Sequence, residues 1–146
     1  MLDLILAIAH HLLIFGLFAV LLIEFILVRP GMDRAAVQRV AGVDLSYGVM
    51  AGLILVIGFA RAIFAAKGWD YYAHNGFFWA KIITFALIGL LSVTPTLRYL
   101  RWRKSGALPG AAEIASVRRL LHAQLGLFPL LLVFAAAMAR GYGDFA

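Results

Sequence analysis

The chain has 146 residues, a formal net charge of +6 and no cysteine. Hydrophobic residues make up 64% of it and charged residues 14%, whereas soluble domains are only about 45–50% apolar. This composition excludes a soluble globular enzyme and a disordered chain, and the lack of cysteine excludes disulfides, zinc–thiolate sites, iron–sulfur clusters and thiol catalysis.

Four apolar stretches, at 4–28, 45–66, 77–97 and 117–139, have the length of membrane helices, each crossing taking about 20 residues. The first carries Asp3 as its only early charge. Its apolar run is too long for a signal peptide, so it is expected to stay as a span. Arg29-Pro30-Gly31 stops it. Asp44 is expected to cap the second span and Lys67-Gly68 to end it. Asn75-Gly76 precedes the third. Pro95 is expected to kink that span, with Thr94 and Thr96 satisfying the freed backbone groups. Gly106, Pro109 and Gly110 break the chain before the fourth. The expected fold is a single-domain, all-α, antiparallel four-helix integral membrane bundle.

Charge distribution orients it. The loop after span one carries Arg29, Arg34 and Arg39, and the loop after span three carries Arg98, Arg101, Arg103 and Lys104, followed by Arg118 and Arg119. Lys67 is offset by Asp70, and Arg140 by Asp144. The positive-inside rule therefore puts loops one and three in the cytoplasm and both termini outside. Trp69, Tyr71, Tyr72 and Trp79 fit an outer aromatic belt, and Tyr99 and Trp102 an inner one. The cluster at 98–104 would meet anionic lipid head groups. Interleaved aromatics give it a superficial likeness to a nucleic-acid surface, but the topology reading prevails and no nucleic-acid partner is expected.

Ionisable residues inside spans are costly and mark sites or buried pairs. Depth sorts them into two layers. The outer layer holds His10, His11, Arg61, Lys81 and the nearby His74. The inner layer holds Glu24, His122, Asp44, Tyr47 and Gln124. His10, Ile14, Leu17, Leu21 and Glu24 share one helical face. A histidine within a four-helix bundle is a candidate haem ligand, and arginine and lysine at the same level would pair with propionates. His10 or His11 would hold the iron, with Arg61, Lys81 and His74 around the cofactor. The structural alternative is a hydrogen-bonded histidine with Arg61 and Lys81 snorkelling to head groups. Glu24 with His122 would form an inner polar pair: a locking hydrogen bond, a proton relay or a cation site. Gly48 and Gly52 have a spacing suited to close helix contact.

In order and spacing, His10-His11, Glu24, Arg29-Pro30-Gly31, Asp44, Tyr47-Gly48, Gly58, Arg61, Lys67-Gly68, His74-Asn75 and Lys81 resemble a bacterial family of short four-span membrane proteins of unknown function. That resemblance covers the whole chain and implies the bacterial inner membrane. Over spans one and three, Ala9-His10, Trp79-Ala80-Lys81-Ile82 and the 98–104 cluster are similar to HemJ-type protoporphyrinogen oxidases, which bind haem b. This second likeness implies that His10 and Lys81 line a tetrapyrrole site and that the reaction is dehydrogenation of a porphyrinogen. Trp79 stands where that pattern has a histidine, and Thr94-Pro95-Thr96 where it has a histidine and tyrosine.

Three functions follow as expectations. The first is a haem b protein acting in redox or electron transfer. The second is a non-enzymatic accessory subunit of a larger membrane complex or homo-oligomer. The third is a small proton- or ion-coupled transporter using Glu24 and His122.

Overall fold

The structure, a computed structural model, describes residues 1–64 and 68–145. Five helices follow one another: α1 (Leu2–Leu27), α2 (Arg34–Phe64), α3 (Gly68–Ala73), α4 (Gly76–Ser105) and α5 (Ala111–Ala139). There is no named strand among the described residues. The four long helices are each long and apolar enough to cross a membrane. The chain is an all-α bundle of four membrane-spanning helices.

The helices outrun their apolar stretches. Asp33, not Asp44, caps α2: its Oδ1 accepts the N–H of Ala36 at 2.8 Å, so the helix starts at Arg34. Asp44 lies in the helix interior and is buried. Asn75, which precedes the third span, caps α4, accepting from the N–H groups of Phe77 and Phe78. α4 continues through Pro95 and ends at Gly106, whose φ of 77° is left-handed. Thr96 does not repair the backbone near Pro95. Its hydroxyl donates to Asp44 Oδ1 at 2.7 Å. Lys67, the expected end of the second span, lies outside the described residues.

α1 packs along α2, and α4 along α5, as two tight hairpins. The hairpins meet through α2 against α4 and α1 against α5. Leu17, Leu21, Val37, Val40, Val117 and Leu121 are fully buried between them. In a bilayer, close van der Waals packing holds such helices, since lipid is as apolar as leucine. Tyr99 and Trp102, expected at an inner aromatic belt, are instead buried in this core.

The two ends of the bundle are tied differently. At the basic end, Arg118 donates to the carbonyls of Phe25 and Val28 and lies 4.2 Å from the Phe25 ring centroid. Arg34 donates to the carbonyls of Trp102 and Arg103. Helix C-termini leave carbonyls without partners and carry partial negative charge, and these two arginines answer both needs. Arg118→Lys, which keeps the charge but loses the fork of donors, should lower stability by about 1–2 kcal/mol in a detergent-unfolding titration.

At the other end the tail is clasped to the turn before α4. Asn75 Nδ2 donates to the Tyr142 carbonyl and to Asp144 Oδ1. Gly76 N–H donates to the Gly143 carbonyl and Phe145 N–H to the His74 carbonyl. Gly143 has φ +86°, and a Cβ there would lie 2.5 Å from Phe77 Cδ2, so both backbone and space demand glycine.

Candidate functional site

The hydrogen bonds that directly join the two hairpins fall in the basic half. Tyr99 Oη donates to Glu24 Oε2 at 3.4 Å, and Tyr47 Oη to Gln124 Oε1 at 3.2 Å. These two bonds cross the bundle on its diagonals, α4 to α1 and α2 to α5. Thr96 to Asp44 and the two arginine anchors complete the set. Among the described residues, no hydrogen bond ties α1 or α2 to α4 or α5 in the other half. There the hairpins part around a cavity of about 390 Å³, within the range of small-ligand sites.

Most of the predicted outer layer lines this cavity. His10 and His11 reach it from α1, Arg61 from α2 and Lys81 from α4. His10 is inserted beside Gly58 of α2: a Cβ on Gly58 would lie 3.2 Å from His10 Cε1. The missing side chain makes room for the imidazole between the helices. Buried His10 Nδ1 has no hydrogen-bond partner within the described protein. His11 is exposed, and its Nδ1 pairs with the Ala7 carbonyl at 2.6 Å. The structure thus separates the two histidines: His10 points between the helices, and His11 is engaged by its own helix. Lys81 Nζ sits 5.4 Å from the Phe78 ring centroid, and buried Arg61 Nε has no hydrogen-bond partner among the described residues. No aspartate or glutamate is among the described residues lining the cavity. His74 does not reach it. It is exposed, with Nδ1 bonded to the Asp70 carbonyl at 2.9 Å.

Sequence patterns alone miss the roof. Tyr71 and Tyr72 of α3 and Met138 of α5 line the cavity, and Tyr71 Oη donates to the Met138 carbonyl at 3.0 Å. Hydropathy shows no helix in this short polar-aromatic run. The run Trp69-Asp70-Tyr71-Tyr72 carries the signal, but it reads equally well as an aromatic belt.

The inner layer forms around Glu24, but without His122. Glu24 is 2% exposed and Gln124 1% exposed. His122 is exposed, bonded to the Arg118 carbonyl and set edge-on to Phe25 with centroids 4.5 Å apart. Gln124, two residues further on, lies about 200° around the helix and takes the inward position. Tyr99 therefore stands where a histidine partner of Glu24 was expected. His10 and Glu24 are about 21 Å apart along α1, with Leu17 and Leu21 fully buried between them. No group of three or more histidine, aspartate or glutamate residues placed to hold a metal ion occurs among the described residues.

The chain belongs to a family described as predicted membrane protein (DUF2214), whose model matches residues 2–143. No curated protein and no solved structure matches it.

Proposed function

We propose that this member of the DUF2214 family binds haem b in the cavity between its hairpins and acts in redox or electron transfer. One observation carries the reading. An imidazole with a ring nitrogen partnerless among the described residues, an arginine and a lysine line one apolar cavity whose described lining holds no carboxylate. Buried cations need anionic partners. Propionates supply them, and the gap between two hairpins suits a flat macrocycle. His10 would hold the iron, and Arg61 and Lys81 the propionates. Haem when bound supplies one-electron chemistry. The chain's own work is to orient the imidazole against Gly58, neutralise the propionates and roof the cavity with Tyr71 and Tyr72. The arginine distribution supports the orientation in which the cavity lies in the outer half of a bacterial inner membrane. Arg103, Lys104 and Arg119, exposed at the basic end, would then face anionic head groups.

The test is an absorption spectrum of the detergent-purified protein, oxidised and dithionite-reduced. A Soret band with about one haem per chain is expected. His10→Ala should remove it, and His11→Ala, altering a ring held by its own helix, should leave most of it. Unchanged haem content in His10→Ala sinks the assignment.

A second reading, an accessory subunit, is favoured by the outer face of α2. Gly48 and Gly52 are exposed, and a Cβ on either would meet nothing within 4 Å. That face is unused among the described residues and suits a partner helix. Gly52→Leu should then abolish copurification of the partner, while normal assembly of the variant would count against this interface.

A further inference from the structure

The cavity is roofed toward the termini but not closed at its sides. Tyr71 is bonded to the Met138 carbonyl, and Tyr72 packs on Phe78 with centroids 5.6 Å apart. Beyond them the tail is strapped to the turn before α4. At the sides, Phe15 of α1 and Leu132 of α5 line the cavity while 63% and 49% exposed. Leu55 and Phe59 of α2 also line it and are exposed. The α1–α5 seam is shut nearer the basic end by Phe18 against Phe128 and Phe25 against His122. Further from that end, no ring contact or hydrogen bond closes it among the described residues. In a membrane-spanning bundle these side openings face acyl chains, whereas the route from water passes the roof.

The contents of the cavity say what would use such an opening. Arg61 and Lys81 are two cations with no carboxylate beside them among the described residues of the cavity, and the rest of the wall is mainly apolar. A ligand dissolved in the bilayer, with one anionic end and an apolar body, matches both features.

We propose that the cavity is filled sideways from the bilayer by an amphipathic carboxylate, whose anionic group pairs with Arg61 and Lys81. This rests on the cavity being the binding site, as the haem reading also holds, and it names the class and the route. Haem propionates and a fatty-acid carboxylate share this chemistry.

The experiment uses the full chain in phosphatidylcholine vesicles with spin-labelled stearate as the probe. The electron paramagnetic resonance spectrum should show a motionally restricted fraction beyond the ordinary lipid shell. Lys81→Met, which leaves an apolar side chain in an apolar wall, should weaken that binding about tenfold, as for one lost charge-assisted hydrogen bond. Because the natural chain has no cysteine, Phe15→Cys with Leu132→Cys across the α1–α5 seam, and Leu55→Cys with Ile82→Cys across the α2–α4 seam, where both residues line the cavity, can each be tied by a cleavable bismaleimide. With both seams tied, exchange of the probe should slow several-fold, and cleaving the ties should restore it. An equal restricted fraction in Lys81→Met, or exchange indifferent to the ties, overturns the proposal. Haem added to the same vesicles is read separately by its Soret band. Stearate held without haem removes the haem reading and supports lateral filling by a carboxylate. Haem held while stearate is excluded keeps the haem reading and overturns the wider class.

Discussion

Asn75→Ala should lower the unfolding free energy by about 3 kcal/mol, the largest loss expected from truncating one polar side chain in this protein. Asn75 is fully buried and uses its amide in both directions. Oδ1 accepts from Phe77 and Phe78 N–H at 3.0 and 3.2 Å, and Nδ2 donates to the Tyr142 carbonyl and Asp144 Oδ1 at 3.0 and 2.9 Å. Losing a helix cap costs about 1 kcal/mol. Leaving buried partners unsatisfied adds about 1–3 kcal/mol. Asn75→Asp keeps the cap but sets a carboxylate oxygen against Asp144 Oδ1 and the Tyr142 carbonyl, so at neutral pH it should cost at least as much as Asn75→Ala. An SDS-unfolding titration measures the energies, and limited proteolysis of the tail reports the clasp. A variant within about 0.5 kcal/mol of the wild type, with an equally protected tail, would show that the clasp does not hold this end.

Tyr99→Phe should cost about 2 kcal/mol, because it removes the hydrogen bond shown on Glu24 and leaves a buried carboxyl group with none. The informative result comes from the double variant. Removing both members of a buried polar pair in favour of apolar groups is often nearly neutral. Glu24→Leu combined with Tyr99→Phe should therefore be more stable than Tyr99→Phe alone. A double-mutant cycle in the same titration measures the coupling. Strictly additive losses would mean that Glu24 and Tyr99 are not coupled through the diagonal bond.

Much of the site is legible in the amino-acid sequence. Depth alone groups His10, Arg61 and Lys81, since a helix rises by a fixed distance per residue and the spans alternate in direction. The same reasoning collects Glu24, Asp44, Tyr47 and Gln124. It fails where depth is not enough. His122 has the right depth and the wrong phase, and His74 has the right level but turns back onto α3. Tyr99 and Trp102 are aromatic residues near a basic end, which reads as a belt at an interface. Only the packing of α4 against the other helices turns them inward. α2 and α4 extend well past their hydrophobic runs because caps and arginine anchors, rather than hydropathy, set those ends.

Composition and spacing by themselves determined the membrane class, the four crossings and the two polar layers, because a bilayer imposes length and apolarity on every crossing segment and penalises each buried charge. The tertiary structure decided the rest. It chose His10 over His11 for the space between the helices, through the gap at Gly58. It put Tyr99 rather than His122 on Glu24, and it parted the hairpins at one end while bonding them at the other. These outcomes depend on which faces of different helices meet, and helix–helix contacts in lipid are set by side-chain shape and a few polar bonds between segments distant in sequence. No local pattern encodes them.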